Sequence, residues 1–349
     1  MQIAIYIGIR TPGTTSQLRC DALVRALPDA EWSIIDTDLP FRRSARIWRS
    51  IAFRLRTGPA VAAINRHVLS QLPNAHADII WVDKGVCLWP ETIRELRKRT
   101  ERLVYYTPDT SFLHNRSRFF ERSIQLYDLI VTTKSLEMPE FRRRAESRKL
   151  LLTSQSYDSK LHYPRCSFAE KRRECVLIGL CEPSREHAVL QLLSEGIPVR
   201  VGGRGWERFV QRCGNRLPLS YAGAAVFGDA YAEALSKATL GLGMLTHRFP
   251  ELHTTRTFEI PACGTALATP KTSETSCFFQ PNEAVFYENT EELVGKAVDL
   301  WSRLDDLRTI TNAGHRRIGI GSFDNDSMIT AALARIDLKS RTESKKSSG

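Results

Sequence analysis

Residues 251–268 read ELHTTRTFEIPACGTALA and carry the clearest fold signal in the sequence. It predicts a loop, then a helix that begins near Thr254 or Thr255, and then the apolar strand 266–268 after Gly264. A helix that leads directly into an apolar strand is typical of α/β domains, in which helices cover a sheet. We therefore expect this stretch to lie in an α/β domain.

The same stretch carries groups suited to a ribose and its phosphates. Free N–H groups at Thr254 and Thr255, together with the positive end of the helix dipole, favour a phosphate. Arg256 adds a planar fork of donors that suits phosphate oxygens. Glu259, about one turn further on, could accept hydrogen bonds from both ribose hydroxyls, and Glu251 could reach the far end of the same ligand. Alternatively, both glutamates are ordinary surface carboxylates and Thr254 is a plain helix cap.

Strand patterns and helix patterns alternate on both sides of this stretch. In the first half, apolar strand patterns occur at residues 2–8, 78–82, 103–106 and 129–132. In the second half, strands at 175–178, 199–201 and 240–245 alternate with helices at 184–195 and 229–237. This alternation predicts parallel sheets that are covered on both faces. In such sheets the ligand crevice lies beyond the carboxyl ends of the strands.

The periodic pattern fades between residues 154 and 173, which places a linker there. We expect two Rossmann-like α/β domains, at residues 1–158 and 172–322, followed by a last helix within residues 323–338. The Ser- and Lys-rich tail, residues 339–349, is expected to be disordered.

The formal net charge of +11 over 349 residues requires an explanation. Residues 42–56 interleave arginines with Ile47, Trp48 and Phe53, a basic amphipathic pattern typical of helices that lie on anionic membranes or hold an acidic acceptor. The alternative is a solvated face over the domain core. No aromatic-rich binding motif accompanies the charge, so we expect no specific nucleic-acid partner.

The eight cysteines form no C-x-x-C pair, and no histidines cluster at zinc-finger spacing. This pattern predicts reduced thiols and no structural metal. There is no apolar run of 18 residues and no signal-peptide pattern at the amino terminus. We therefore expect a cytoplasmic protein, with peripheral contact to the inner membrane face as an open alternative.

Several segments resemble, in order, the nucleotide-sugar half of GT-B glycosyltransferases. The most specific is HTTRTFEIPACG, residues 253–264, which is similar to a run in the spore-maturation (CgeB-like) glycosyltransferase family. VRVGGRGW at 199–206 and LGLGML at 240–245 accompany it, and weaker matches are YYTPDTSF at 105–112 and YDLIVTTKS at 127–135. The resemblance implies two Rossmann-like domains that face each other across a cleft, with the C-terminal helix crossing back to the first domain.

The resemblance also implies roles for the two glutamates. Glu259 would contact the ribose, and Glu251 would be the first glutamate of the E-x7-E pair of many retaining GT-B enzymes. However, Leu252 and His253 stand where a glycine-containing loop usually follows, so the catalytic role of Glu251 and the retaining stereochemistry stay open. GT-B enzymes usually stabilise the diphosphate leaving group with basic side chains and helix N-termini in place of a metal. Arg185 therefore joins Arg256 as a candidate, unless it is a helix-surface arginine.

The remaining candidates depend on weaker patterns. Gly203, within a glycine-rich run, resembles part of a phosphate-cradling loop, although such runs more often close a strand with a turn. Asp109 is our choice for the catalytic base and His114 the runner-up, but Asp109 could equally cap a helix. His253 could form a hydrogen bond with the donor sugar or with the diphosphate, although a lone histidine in a loop more often does neither.

These observations predict a hexosyltransferase-type enzyme without a cofactor. It would move a sugar from a nucleoside-diphosphate sugar to a carbohydrate, lipid-linked or protein acceptor, independently of metal. Two alternatives stay open. One is a non-catalytic GT-B-like nucleotide-sugar-binding or scaffold protein, and the other is a basic nucleic-acid binder.

Overall fold

The computed structural model describes residues 2–214 and 217–337, which form two compact units. Of the described residues, the first unit contains 2–154 and 325–337, and the second unit contains 155–214 and 217–324. The predicted disordered tail, residues 339–349, lies outside the described residues. None of the helices in the described ranges combines the length and the apolar composition that a membrane span requires.

The first unit contains a parallel sheet of six strands. In chain order they are β1 (Gln2–Gly8), β2 (Ala30–Asp36), β3 (Ala77–Asp83), β4 (Thr100–Thr107), β5 (Leu129–Thr132) and β6 (Leu150–Leu152). Their order in the sheet is β2-β1-β3-β4-β5-β6, so the chain changes its direction of growth between β1 and β3. A ligand crevice is expected outside the carboxyl ends of strands at such a switch point.

Helices cover both faces of this sheet. They are α1 (Thr15–Ala26), α2 (Asp38–Arg43), α3 (Arg46–Leu55), α4 (Pro59–Ser70), α5 (Pro90–Lys98), α6 (Arg118–Ser123) and α7 (Met138–Arg144). Successive residues of a strand point to opposite faces, so Ala4 and Ile5 of β1 belong to two different buried apolar clusters. The central strands are therefore buried on both sides, which explains the apolar runs within them.

The second unit repeats this architecture with another parallel sheet of six strands. They are β7 (Arg172–Ile178), β8 (Val199–Gly202), β9 (Leu219–Tyr221), β10 (Ala238–Leu242), β11 (Ala266–Pro270) and β12 (Val285–Tyr287). The helices are α8 (Pro183–Ser194), α9 (Trp206–Cys213), α10 (Gly228–Ser236), α11 (Arg256–Ala262), α12 (Thr275–Phe278), α13 (Thr290–Ser302) and α14 (Leu304–Ile320). The strand order β12-β11-β10-β7-β8-β9 places the switch point between β7 and β10. The predicted α/β fold class with parallel sheets is confirmed.

The last helix, α15 (Asn325–Arg335), packs in the first unit. Its residues Met328, Ile329 and Leu333 join the apolar cluster that contains Leu23 of α1. An ion pair of 2.9 Å between Arg25 Nε and Asp326 Oδ1 adds to this contact. The C-terminal helix is thus held by both apolar packing and charge.

Candidate functional site

The loops that follow β7 and β10 meet at the switch point of the second sheet. β7 ends at Ile178 and is followed by Gly179, whereas β10 leads into the loop 243–255 that precedes α11. The two strands are parallel neighbours, so their carboxyl ends lie at the same edge of the sheet. Two of the predicted residues, Arg185 of α8 and Arg256 of α11, reach this edge.

The guanidinium groups of Arg185 and Arg256, called here the arginine pair, converge beside Gly179. Arg256 Nε donates a 2.6 Å hydrogen bond to the carbonyl of Ile178. Arg185 donates to the carbonyls of Leu180 and Met244, at 3.0 Å in both cases, and so connects the ends of the two strands. A Cβ atom at Gly179 would lie 3.3 Å from Arg185 Nη1 and 3.3 Å from Arg256 Nη2. Backbone carbonyls therefore hold two positive charges close together.

The arginine pair carries positive charge that the surrounding protein only partly balances. Arg185 is buried, and its Nε has no hydrogen-bond partner among the described residues. Burial and the charge of Arg256 lower the pKa of Arg185, whereas the carboxylates of Glu182 and Glu251 raise it. Arginine stays protonated at neutral pH even so. Two fixed cations at a strand switch point form a suitable binding site for a diphosphate.

Glu251 and Arg185 lie near enough for their charges to interact, so the structure brings three predicted residues into one site: Arg185, Glu251 and Arg256. Glu251 is partly buried in the loop before α11.

The start of α11 differs in one respect from the expectation of free amides at Thr254 and Thr255. The helix begins at Arg256 with Thr255 as its cap residue, in agreement with the predicted start. The Thr254 N–H, however, donates to Thr257 Oγ1 at 3.2 Å, so the prediction of a free amide at Thr254 is wrong. The Thr254 hydroxyl is buried with no hydrogen-bond partner in the described part of the chain.

Glu259 lies on α11, one turn after Arg256, and its side chain is buried. Its Oε2 accepts a 2.6 Å hydrogen bond from the hydroxyl of Tyr231, and its Oε1 lies 3.9 Å from Nε2 of His162. Burial, followed by the nearby Glu259 carboxylate, raises the pKa of Tyr231 well above its ordinary value. Tyr231 therefore stays protonated and acts as the donor, which leaves lone pairs on Glu259 for other donors.

His253 is a structural residue in this geometry. Its side chain is 2% exposed, its Nε2 accepts a 2.8 Å hydrogen bond from the backbone N–H of Gln155, and its Nδ1 contacts Glu274. The ring also packs edge-on against Phe258 and Phe278. Because both ring nitrogens already have partners, this geometry does not favour the predicted hydrogen bond between His253 and the donor sugar or the diphosphate. Instead, the histidine fixes the loop that connects Glu251 to α11.

Gly203 acts through its lack of a side chain. It has a φ of +114°, and a Cβ there would lie 2.2 Å from the carbonyl oxygen of Gly179. Its N–H donates to the carbonyl of Gly223 at 2.8 Å, so this amide does not point freely at a ligand. Gly203 thus lets the loop after β8 approach the loop after β7. Trp206 Nε1 secures that contact by donating to the Gly179 carbonyl at 2.9 Å.

Comparison with solved structures identifies this architecture. HepE from Anabaena, solved in complex with UDP, is 13% identical to this chain and has a TM-score of 0.64, with 96% of this chain and 100% of that chain covered. Sucrose-phosphate synthase from Thermosynechococcus elongatus is 14% identical, with a TM-score of 0.65 and coverage of 96% and 98%. A glycosyltransferase from Rickettsia africae is 9% identical, with a TM-score of 0.65 and coverage of 95% and 97%. The chain has the GT-B fold.

The sequence itself is similar to a known family over part of this GT-B chain. Residues 185–334 match the family model described as "Glycosyl transferase-like". The matched segment begins at Arg185 and includes the whole of α11, so it contains the arginine pair. A search of curated proteins finds no match.

The predicted catalytic base of the GT-B chain, Asp109, lies in the first unit, in the loop after β4. Its Oδ2 is 3.0 Å from Nζ of Lys84, and its side chain is 41% exposed. Lys84 follows β3 and has a φ of +54°, a left-handed backbone conformation that few residues other than glycine adopt. The runner-up, His114, donates its backbone N–H to the hydroxyl of Thr110 at 3.3 Å.

The residues that hold Glu259 and Arg185 in place could not be predicted from the sequence. Tyr231 contacts Glu259 from 28 positions away, and the Met244 carbonyl contacts Arg185 from 59 positions away. No local pattern signals such contacts, because they depend on how helices pack on the sheet.

Among residues 2–214 and 217–337, no group of three or more His, Cys, Asp or Glu side chains is arranged to hold a metal ion.

Proposed function

We propose that this GT-B chain is a glycosyltransferase that moves a hexosyl-type sugar from a nucleoside-diphosphate sugar to an acceptor hydroxyl without requiring a metal. The observation that carries this proposal is the arginine pair at the switch point of the second sheet. Two further findings support it. The family model that matches residues 185–334 is described as "Glycosyl transferase-like", and HepE has been crystallised with UDP and with UDP-glucose.

The arginine pair would bind the diphosphate and stabilise it as the leaving group. When the bond to the sugar breaks, negative charge grows on the diphosphate, and cations that are already oriented stabilise that charge without reorganising. Backbone carbonyls orient both guanidinium groups here, and burial of Arg185 reduces the screening of its charge by water. The Thr255 amide and the unpartnered Thr254 hydroxyl would donate further hydrogen bonds to the phosphates.

Glu259 would hold the ribose hydroxyls. Tyr231 occupies one of its oxygens and fixes the orientation of the carboxylate, and the remaining lone pairs are available to two donors. Glu251, whose charge reaches Arg185, would face the sugar and stabilise the positive charge that develops at its anomeric carbon. His253 and Gly203 would act indirectly, by positioning the loops that carry these groups.

Asp109 would act as the base that accepts the proton of the acceptor hydroxyl, with His114 as the alternative. The 3.0 Å contact between Lys84 Nζ and Asp109 Oδ2 orients the carboxylate that would accept this proton. The acceptor belongs to one of three classes: carbohydrate, lipid-linked or protein.

We also propose that the chain belongs to the CgeB-like group, because of HTTRTFEIPACG at residues 253–264. It would work in the cytoplasm, with α3 in contact with anionic membrane surfaces. On α3 and beside it, exposed apolar residues (Ile47, Trp48, Phe53, Leu55) alternate with exposed arginines (Arg42, Arg43, Arg46, Arg54). Co-sedimentation with phosphatidylglycerol vesicles, compared with phosphatidylcholine vesicles, tests this contact.

A thermal-shift panel of nucleoside diphosphates and their sugar conjugates tests the proposed function. One nucleoside diphosphate should raise the melting temperature of the wild-type protein, and Glu259→Ala should abolish that increase. The matching sugar conjugate should slowly release its nucleoside diphosphate. Binding without release would instead favour a non-catalytic binding protein, and an equal shift in the Glu259→Ala variant would exclude the ribose role of Glu259.

A further inference from the structure

The first unit contains an apolar cavity of about 200 Å³ at its own switch point, where β1 and β3 end. We call it the acceptor-side cavity. Residues that follow β3 form one wall, and α3 and α4 contribute Phe53 and Ile64 to the others. The lining is mostly apolar and includes Ile7, Ile9, Phe41, Phe53, Ile64 and Val86. A cavity of this kind accommodates an apolar group more readily than a free sugar, because a buried sugar hydroxyl needs hydrogen-bond partners.

Three of the charged side chains that line the acceptor-side cavity are already paired. Asp83 forms a buried ion pair with Arg19 at 2.7 Å, Asp38 pairs with Arg42 at 2.6 Å, and Lys84 pairs with Asp109 at 3.0 Å. Their charges are therefore largely balanced within the unit.

Arg56, the remaining charged residue of the lining, has no carboxylate partner among the described residues. Its Nη2 donates to Asn115 Oδ1 at 3.3 Å, and its Nε is buried without a hydrogen-bond partner in the described ranges. Its guanidinium lies 5.5 Å from the centre of the Phe53 ring. Arg56 shares the cavity lining with Cys87, where burial raises the pKa of the thiol and the positive charge of Arg56 opposes this shift. Arg56 thus offers an unbalanced positive charge beside an apolar cavity.

We propose that the acceptor is an anionic amphiphile whose apolar chain occupies the acceptor-side cavity and whose phosphate-type group pairs with Arg56. This inference rests on the proposed function and selects the lipid-linked class among its three acceptor classes. Lys84 lines the cavity and also contacts Asp109, so the proposed base lies beside the bound acceptor. The exposed apolar residues of α3, which include Phe53 of the lining, suit an acceptor that arrives from a lipid surface.

Isothermal titration calorimetry with three probes tests this assignment. The probes are decyl phosphate below its critical micelle concentration, decanol and inorganic phosphate. Decyl phosphate should bind at least about tenfold more tightly than either of the others, a difference of about 1.4 kcal/mol. Equal affinity for decyl phosphate and decanol would remove the role of Arg56, and the absence of decyl phosphate binding would overturn the proposal.

Two variants and one control locate the binding. Arg56→Gln should weaken the binding of decyl phosphate about tenfold and leave the affinity for decanol unchanged, because only the anion loses its partner. Phe53→Asp should weaken the binding of both decyl phosphate and decanol. Since the Phe53 side chain is 68% exposed, its replacement removes little packing from the folded protein. Ile320→Asp also replaces an exposed apolar side chain with a carboxylate, at a residue of the second unit that is 78% exposed, and should leave both affinities unchanged. An equal loss in the Ile320→Asp variant would mean nonspecific adsorption and would refute the cavity assignment.

Nucleoside-diphosphate binding, measured on the same variants, separates this inference from the proposed function. Arg56→Gln and Phe53→Asp should keep that affinity. If nucleoside diphosphates bind and decyl phosphate does not, the cavity assignment alone fails. If nucleoside diphosphates do not bind to the wild-type protein, the proposed function fails.

Discussion

Replacing Gly179 with alanine tests whether the arginine pair must stay where the structure has it. The new Cβ would lie 3.3 Å from a terminal nitrogen of each arginine, so each guanidinium would have to move by a few tenths of an ångström. Backbone carbonyls hold these groups with hydrogen bonds of 2.6 Å and 3.0 Å, so the movement would weaken their orientation toward a diphosphate. A hydrogen bond to a charged group contributes about 1.5–3 kcal/mol. Losing about 1.4 kcal/mol of that would weaken nucleoside-diphosphate binding about tenfold.

Isothermal titration calorimetry with the best nucleoside diphosphate measures this effect. Gly295→Ala is the matched control, because a Cβ at Gly295 of α13 would have no heavy atom within 4 Å. The control should bind normally and unfold at a slightly higher temperature, since alanine stabilises a helix interior by about 0.5–1 kcal/mol relative to glycine. Unchanged affinity in the Gly179→Ala variant would refute the idea that the arginine pair binds the diphosphate beside this residue.

Three further changes address the residues around the arginine pair. Gly203→Ala should lower the free energy of unfolding, measured in urea, by about 3 kcal/mol. The new Cβ would clash with the Gly179 carbonyl, and the backbone at this position has a conformation that is strained for any residue other than glycine. A loss below about 1 kcal/mol would contradict this expectation. Tyr231→Phe should weaken nucleoside-diphosphate binding, measured by calorimetry, by about 1.5–3 kcal/mol, because Glu259 loses the hydrogen bond that orients it. Unaltered binding would argue against the ribose role of Glu259. His253→Ala should reduce the free energy of unfolding by about 3 kcal/mol, because two buried hydrogen bonds are lost. It should also weaken nucleotide binding, since the loop that connects Glu251 to α11 is no longer fixed. Full nucleotide affinity in this variant would show that His253 does not position the site.

The regular part of the fold could be predicted from the sequence because its signals are local. β1, the second half of β4 and β5 each contain a run of at least three apolar residues, and α11 begins where the threonine cluster predicts it. β2 (Ala30–Asp36) gave no such signal, since its residues are mostly only partly buried at the edge of the sheet. The short strands β6 and β9 have three residues each, too few for a pattern to be recognised.

The candidate site could be predicted only in part, for a similar reason. Arg256 and Glu259 share one helix, and one short motif identifies both. The role of His253 depends on Gln155 and Glu274, which reach it from distant parts of the chain. The charge left on Arg56 could not be predicted either, because it depends on which neighbouring charges find partners after folding.

The most direct test of the central claim is the affinity of Arg256→Ala for the nucleoside diphosphate that binds best to the wild-type protein. We expect calorimetry to show at least about a tenfold loss of affinity for this variant, since a charge-assisted contact contributes about 1.5–3 kcal/mol. Arg308→Ala removes the same charge from an exposed position on α14 and should bind like the wild-type protein. Equal affinities in the two variants would contradict the claim that the arginine pair holds the diphosphate.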